Sequence, residues 1–252
     1  MRRHIRQHAA RSGGWVCPLV SRLETANGLS EMQDMMLELR RICHVSHATF
    51  LVMRGGVLVA ANPYLQTTYP DEWTALYLRK RYFEIDPVIK ASRSTSLPFD
   101  WRVSDENYAR QRGFLDDSRS FRLGCSGISV PVRGPGGEQS LLSLTSQLEH
   151  PDWKKSRVFC QSDLLTFAYH LHERVMVLSG LRQHGPVPAL SKRERECLEL
   201  LARGKLVKQV AGILNISESA VKQYTRSSKR KLSARTMPQA TVRASQLGLI
   251  DI

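Results

Sequence analysis

A ten-residue segment in the last third of the chain constrains the fold more than any other feature. Residues 179–188 read SGLRQHGPVP, with two glycines and two prolines. Proline lacks the backbone donor that a helix needs and glycine favours open turns, so this composition suits an exposed connection. We therefore predict a linker over 179–188, followed by a C-terminal domain over 189–252. A chain of 252 residues is long enough for two domains of ordinary size.

Charge is unevenly distributed across this linker. The chain carries a formal net charge of +14, from 37 Lys and Arg against 23 Asp and Glu. Residues 191–252 hold thirteen of these cations and only five of the carboxylates, so about a quarter of the chain carries more than half of the excess. Such an excess favours polyanionic partners, either nucleic acid or an anionic membrane surface. The polyanion-binding function is therefore predicted to lie in the C-terminal domain.

Several protein classes are excluded by composition. No stretch approaches the roughly 20 uninterrupted apolar residues of a membrane span, so we expect no membrane partner. Residues 1–19 contain four arginines without a following hydrophobic segment, which predicts a basic, flexible extension rather than a secretory signal. The five cysteines are scattered and form no CxxC pair. We therefore expect no disulfide scaffold, no metal site, and a cytoplasmic location.

Between the extension and the linker, residues 20–178 alternate between helix and strand patterns. Helices are predicted over 30–44, 71–83, 107–121 and 152–178, with a short one after Pro87, and strands over 48–54, 57–61, 127–133 and 140–147. Ser30 is the predicted N-cap of the first helix. Glycines at 55–56 and 134–137 indicate hairpins. The fold class is therefore α+β, with an N-terminal α/β/α sandwich over an antiparallel sheet.

The C-terminal domain is predicted to be all-α, with four helices. Ser191 caps the first helix, and Glu194, three residues later, completes a capping box. Residues 215–217 form a tight turn before a third helix over 218–232, and a last helix lies near 238–246. Two short helices joined by a tight turn, the second rich in exposed basic and amide groups, are typical of a helix-turn-helix.

This stretch resembles the LuxR-type helix-turn-helix. The resemblance is carried by 190–198 (LSKRERECL), Gly204, Val210, Ala211, Leu214, Ile216, Ser217, Val221, Lys222, and the closing segment 231–240. It implies binding to double-stranded DNA, with Lys222, Gln223 and Arg226 at positions that face the major groove or nearby phosphates. Lys229 and Arg230 extend the same polar face, so the predicted DNA-binding residues are Lys222, Gln223, Arg226, Lys229 and Arg230.

Aromatic and acidic residues in the N-terminal region indicate a small-molecule pocket. Trp73 and Tyr77 are four residues apart and share a helix face, Tyr69 precedes that helix, and Asp86 precedes the next. Aromatic walls with one carboxylate are suited to binding a ligand that has a few polar groups. The same residues are also consistent with a plain hydrophobic core and an N-cap, and this alternative stays open at this point.

Across residues 69–146 the pattern resembles the autoinducer-binding domain of LuxR-type quorum-sensing regulators. The matching positions are Trp73, Tyr77, Asp86, Pro87, Trp101 and Gly127. The resemblance implies an N-acyl-homoserine lactone ligand and no cofactor. Trp73 would donate to the lactone carbonyl, Asp86 would accept from the amide N–H, and Tyr69 with Ser143 would hold the acyl carbonyl. The pocket walls would be Tyr77, Val88 and Trp101.

Rival functions are less consistent with the sequence. A phosphorelay receiver needs a repeating βα pattern, which the first 180 residues lack. An enzyme such as a lactone hydrolase is not expected, because the histidines lack metal-ligand spacing and no GxSxG or P-loop motif occurs. The closest alternative keeps this architecture but senses a non-lactone molecule, or acts without ligand. We also expect a homodimer. The helix predicted over 152–178 is either its interface or packs only on its own sheet.

Overall fold

The computed structural model describes residues 14–54, 63–103, 112–182 and 189–251. The chain forms two compact units, one ending at Leu181 and the other starting at Arg182. This division falls inside the predicted linker, whose residues 183–188 lie outside the described residues. The two units are described separately below.

A five-stranded antiparallel sheet forms the centre of the N-terminal unit. Its strand order is β2-β1-β5-β4-β3. The strands are β1 (His47–Arg54), β2 (Tyr64–Thr67), β3 (Phe99–Arg102), β4 (Ser126–Arg133) and β5 (Gln139–Ser146). β4 and β5 are buried along almost their whole length, which is expected for central strands covered on both faces.

Successive side chains of these strands point to opposite faces of the sheet, because a strand has a period of two residues. One face carries large apolar residues such as Phe50, Ile128 and Leu142, which belong to the main hydrophobic core. The other face carries Thr49, Ser143 and other residues that line a cavity. The sheet therefore separates a packed core from the candidate site.

Helices cover both faces, which confirms the predicted α/β/α sandwich. The core side is covered by α1 (Val16–Thr25), α2 (Leu29–Ile42), α6 (His150–Ser156) and α7 (Gln161–Leu178). The cavity side is covered by α3 (Asp71–Arg79), a 3-10 turn (Tyr82–Glu84), α4 (Pro87–Ser92) and α5 (Arg112–Ser120). α7 is the long core helix and packs against α1, α2, β4 and β5.

Two expectations at the start of the chain are wrong. Residues 16–19 do not belong to a flexible extension, because α1 begins at Val16 and buries Leu19 and Leu23 in the main core. Residues 1–13 of the predicted extension lie outside the described residues. Ser30 is not an N-cap either. α2 begins one residue earlier, after Gly28, and the Glu31 carboxylate caps it by accepting from the Gly28 N–H at 3.1 Å.

Element boundaries differ from the prediction where tertiary contacts override local pattern. The predicted helix over 152–178 is two helices, because residues 157–160 are not helical; Arg157 in this break donates to the Asp100 carboxylate at 3.0 Å. The strand that pairs with β1 is Tyr64–Thr67; the predicted strand over 57–61 lies outside the described residues. β3 was not predicted. The helices predicted over 71–83 and 107–121 are described as α3 with its 3-10 turn and as α5.

The described residues of the C-terminal unit form four helices, as predicted. They are α8 (Lys192–Ala202), α9 (Val207–Leu214), α10 (Glu218–Lys231) and α11 (Met237–Gln246). Ser191 caps α8 with the predicted capping box, and Ser217 caps α10. Gly204 adopts a left-handed backbone (φ 81°) just after α8, where glycine is favoured. Capping residues and glycines recognised in the sequence therefore predict the helix ends of this unit.

Within the described part of the chain, no helix is both long and apolar enough to cross a bilayer. The same residues contain no group of three or more His, Cys, Asp or Glu side chains arranged to hold a metal ion.

Candidate ligand cavity and nucleic-acid interface

A cavity lies between the sheet and the helices α3, α4 and α5. The space not filled by protein atoms is about 890 Å³, which includes the open solvent at the mouth of the cavity. The walls are mostly apolar. The seven predicted ligand residues all line it: Tyr69, Trp73, Tyr77, Asp86, Val88, Trp101 and Ser143. Sequence positions as far apart as 69 and 143 are therefore brought around one space.

The Asp86 carboxylate is fixed at the wall of this cavity by α4. Pro87 occupies the first turn of that helix, and Asp86 is its N-cap, with one oxygen accepting from the Val88 N–H at 2.8 Å. The other oxygen accepts from the Tyr77 hydroxyl at 2.9 Å. Burial raises the pKa of Asp86, while the hydrogen bonds from Tyr77, Val88 and Ile89 oppose this rise. Asp86 is thus an N-cap and a cavity-lining acceptor at once.

Trp73 provides a hydrogen-bond donor to the same cavity. The residue is 2% exposed, and its ring lies in an aromatic cluster, stacked on Tyr82 with ring centroids 6.0 Å apart and tilted against Phe114 and Phe121. Among the described residues, none accepts a hydrogen bond from the Trp73 Nε1–H. Buried indole N–H groups usually find a partner, so this donor has a hydrogen bond still to be accounted for.

Tyr69 extends the polar part of the wall towards the sheet. Its hydroxyl lies 2.9 Å from the Thr145 Oγ1 atom, and its ring packs against His47 with centroids 4.7 Å apart. Burial raises the pKa of Tyr69 to about 12, so the phenol stays protonated at neutral pH and can act as a donor.

Trp101 forms the cavity wall from the edge strand β3. Its Nε1–H donates to the Ser129 hydroxyl at 2.9 Å, and Ser129 in turn lies 2.7 Å from the Ser143 hydroxyl. The indole packs across Gly127, its direct partner on β4. A Cβ atom at Gly127 would overlap both the Trp101 ring and the Leu144 carbonyl oxygen. Glycine is therefore required here for close approach.

A Gly127→Ala variant is expected to lower the free energy of unfolding of the N-terminal unit by about 1–3 kcal/mol, because the added methyl group overpacks the sheet. Urea unfolding of the full chain, followed by tryptophan fluorescence, measures this unit alone, since all four tryptophans lie before residue 182. The matched control is Gly113→Ala in α5, where an added Cβ meets no atom within 4 Å. Equal stability of the two variants would contradict the expectation.

The helix α10 presents the candidate nucleic-acid interface. Lys222, Gln223, Arg226 and Arg230 are exposed, and Lys229 is half-buried. The opposite side of the helix is anchored by Val221, which packs with Cys197, Val210 and other residues of α8 and α9. Spacings of three, four and seven residues place the exposed groups along one side of α10.

The turn between α9 and α10 has the geometry that the sequence predicts. Asn215 ends α9 in the left-handed conformation (φ 52°), and the Ser217 hydroxyl accepts from the Ala220 N–H at 3.1 Å. Glu194 of α8 ties the other end of α10 in place by accepting from Lys231 Nζ at 2.7 Å. Although burial alone would raise the pKa of Glu194, hydrogen bonds from Lys231, Ser227 and Ser191 lower it to about 2. The carboxylate that orients α10 is therefore ionised at neutral pH.

Comparison with known proteins matches both units. Residues 29–175 match the autoinducer binding domain family, and residues 188–244 match the family of bacterial regulatory proteins of the luxR type. The chain belongs to the LuxR family. It is a quorum-sensing transcriptional regulator with an autoinducer-binding domain and a LuxR-type helix-turn-helix.

Two curated LuxR-family relatives support this assignment. The transcriptional activator RaiR of Rhizobium etli is 42% identical over 197 residues, which are 77% of this chain and 80% of RaiR. The quorum-sensing regulator RhlR of Pseudomonas aeruginosa is 33% identical over 189 residues, 73% of this chain and 74% of RhlR.

Among solved structures, Escherichia coli SdiA has the same fold. Its crystal structure aligns with a TM-score of 0.68 at 21% identity, covering 94% of this chain and 98% of SdiA. A second SdiA structure, in complex with octanoyl-rac-glycerol, aligns with a TM-score of 0.64 at 20% identity. The alignment covers 93% of this chain and 95% of that SdiA chain.

Several residues of this LuxR-family cavity were missed by sequence reasoning. The cavity is also lined by Thr49, Thr145, Leu123 and Phe114. The Ser129 hydroxyl accepts the hydrogen bond from the Trp101 indole. Phe114 lies in a helix that was predicted but not connected to the site. Thr49 and Thr145 carry a weak signal, since a hydroxyl residue in an otherwise apolar strand faces either solvent or a polar site.

Proposed function

We propose that the autoinducer of this LuxR-family regulator is an N-acyl-homoserine lactone bound in the cavity beneath α3 and α4. The observation that carries the proposal is the pairing of an unpartnered indole donor, Trp73 Nε1, with a carboxylate acceptor, Asp86, in one mostly apolar space. A lactone head group offers a carbonyl to the indole and an amide N–H to the carboxylate.

In this proposal the remaining predicted residues divide into polar contacts and walls. Tyr69 and Ser143 hold the acyl carbonyl, because both hydroxyls belong to the sheet side of the cavity. Tyr77 fixes Asp86 through its hydroxyl and adds an aromatic wall. Val88 and Trp101 line the space that the acyl chain occupies.

The output of the regulator is proposed to be binding of double-stranded DNA as a homodimer. Lys222, Arg226, Lys229 and Arg230 would contact phosphates, and Gln223 would read a base edge in the major groove. A single helix-turn-helix gains a two-half-site target by dimerisation. The exposed side of α7, which includes Tyr169 and Val177, is the proposed contact between the N-terminal units.

The lactone ring itself provides the test. Intact N-octanoyl-homoserine lactone is expected to raise the thermal unfolding temperature of the full chain, and the shift should grow with the logarithm of its concentration above the dissociation constant, because a ligand that binds only the folded state stabilises it. The ring-opened N-octanoyl-homoserine has the same acyl chain but carries a carboxylate, which an apolar cavity beside Asp86 disfavours. It is expected to produce no shift.

Equal shifts with the intact and the ring-opened compound would contradict lactone recognition. A shift with 1-octanoyl-rac-glycerol alone would favour the alternative that the same cavity senses a non-lactone acyl molecule.

A further inference from the structure

Helix α5 forms part of the cavity wall but has few apolar side chains of its own. Among its nine residues, only Phe114 and Leu115 carry apolar side chains, and both line the cavity. The sheet, in contrast, is held by its backbone ladders, and α3 by the buried rings of Trp73 and Tyr77. Elements with few buried apolar contacts open locally at the lowest free energy. Compared with the sheet and α3, α5 is therefore expected to open more readily.

Three polar side chains attach α5 to the end of α3. We call Lys80, Tyr82 and Asp117 the α5 latch. The Tyr82 hydroxyl donates to Asp117 Oδ2 at 2.6 Å, and Lys80 Nζ donates to the same oxygen at 2.7 Å. The Tyr82 hydroxyl also lies 3.3 Å from the Gly113 carbonyl oxygen in the first turn of α5. The latch therefore connects both the first turn and the middle of α5 to residues that directly follow α3.

The two donors of the latch differ in how firmly they are held. Tyr82 is 5% exposed, and its ring lies against Trp73 and Phe114, so its hydroxyl is already fixed in place. The Lys80 side chain is 47% exposed and loses conformational freedom when it pairs with Asp117. Hydrogen bonds from Lys80 and Tyr82 lower the pKa of Asp117, so the acceptor is ionised at neutral pH. Tyr82 is therefore the stronger of the two attachments.

The latch lies outside the ligand space. The described residues that line the cavity include none of its three members. Its connection to the cavity runs through Phe114, whose ring lies edge-on to that of Tyr82 with centroids 5.2 Å apart. A change in the latch can therefore alter the closure of α5 without removing a contact with the ligand.

We propose that α5 is the gate through which a ligand enters and leaves the cavity, and that Asp117 keeps this gate closed by holding Tyr82 and Lys80. Asp117 is then a positioning residue, which sets the rate of ligand exchange and contributes little to affinity. Phe114 and Leu115 pack against a bound ligand, so binding holds α5 closed more firmly. This inference rests on the proposed function only for the identity of the ligand.

Hydrogen exchange in the free full chain tests the latch without any ligand. In Asp117→Ala, the amides of α5 are expected to exchange about tenfold faster than in the wild type, because the closed helix has lost both hydrogen bonds to the carboxylate. Alanine favours a helix more than aspartate does, so a weaker helix cannot explain faster exchange. The matched control is Asp116→Ala, which removes an exposed carboxylate one position away. Its α5 amides are expected to exchange no faster than those of the wild type.

Stopped-flow fluorescence with N-octanoyl-homoserine lactone tests the gate. Asp117→Ala is expected to raise both the association and the dissociation rate constant about tenfold, because the ligand passes the same barrier in both directions. The dissociation constant is therefore expected to stay within about twofold of the wild-type value. Tyr82→Phe keeps the ring against Trp73 but loses the hydroxyl, and it is expected to raise both rate constants about threefold. This second variant decides the question if Asp117→Ala does not fold.

The outcomes that overturn the gate differ from those that overturn the proposed function. Wild-type rate constants in Asp117→Ala would refute the gate, as would equal effects of Asp117→Ala and Asp116→Ala. Faster dissociation with unchanged association would show that Asp117 supports only the bound state, which also overturns the proposal. If no lactone binds, the proposed function fails, whereas hydrogen exchange in the free protein still decides whether Asp117 holds α5 closed.

Discussion

An Asp86→Asn variant is expected to bind N-acyl-homoserine lactones about 10- to 100-fold more weakly than the wild type. A hydrogen bond to a charged group contributes about 1.5–3 kcal/mol, which corresponds to that range of affinity. Asparagine is a good N-cap, so α4 keeps the hydrogen bond from the Val88 N–H. Its amide group, however, places a donor where Asp86 offers an acceptor, either to Tyr77 or to the ligand. Calorimetric titration of the full chain measures the change.

The control variant removes one negative charge at a different position in the helical layer that covers the cavity side of the sheet. Asp71→Asn alters an exposed carboxylate in the first turn of α3, away from the cavity lining. It is expected to bind lactones like the wild type. Equal dissociation constants for Asp86→Asn and the wild type would remove Asp86 from the binding site, and equal weakening in both variants would point to a nonspecific charge effect.

The double variant Lys222→Ala with Arg226→Ala is expected to have the largest effect on DNA binding. Each cation that neutralises a phosphate contributes about one unit to the slope of log affinity against log salt concentration. Loss of two such contacts should reduce the slope by about two and weaken binding by about 10- to 1,000-fold at low salt. Fluorescence anisotropy with a mixed-sequence duplex over a range of salt concentrations measures both quantities.

A charge-matched control distinguishes a local contact from the net charge of the protein. Lys90→Ala with Arg93→Ala removes two exposed cations from the N-terminal unit instead. Its salt slope is expected to match that of the wild type. If both double variants shifted the slope equally, α10 would not be the DNA-contacting helix.

The C-terminal domain is the part of the fold that sequence predicts best, for a physical reason. Its helix ends depend on contacts within four residues along the chain, such as the Ser191–Glu194 capping box and the left-handed Asn215. Such contacts can be recognised from residue types and spacing alone. The predicted ends of α8, α10 and α11 accordingly fall within one or two residues of those observed.

The N-terminal unit is harder to predict, because distant contacts decide its elements. The segment between α6 and α7 has residues compatible with a helix but is not helical, and here Arg157 pairs with Asp100 and Phe159 packs on Trp153. β3 has only four residues and depends on pairing with β4. No local pattern reveals either feature.

The residues of the cavity also divide into those that sequence predicts and those that it does not. Aromatic and acidic residues at helical spacing, such as Trp73 and Asp86, were predicted to share a pocket, and both line it. Their roles towards a ligand stay predictions. Thr49 and Ser129 could not be found in this way, since their significance depends on strand register across the sheet.

The C-terminal unit contains hydrophobic clusters of its own, including Leu198, Leu232 and Ala244 in one and Cys197, Val210 and Val221 in another. The buried residues of both clusters all belong to this unit. Mutations in the N-terminal unit can change which signal is recognised and leave promoter recognition intact. Mutations in the C-terminal unit can change promoter recognition and leave signal recognition intact. A gene encoding such a chain can acquire a new stimulus or a new set of target genes by exchanging one segment.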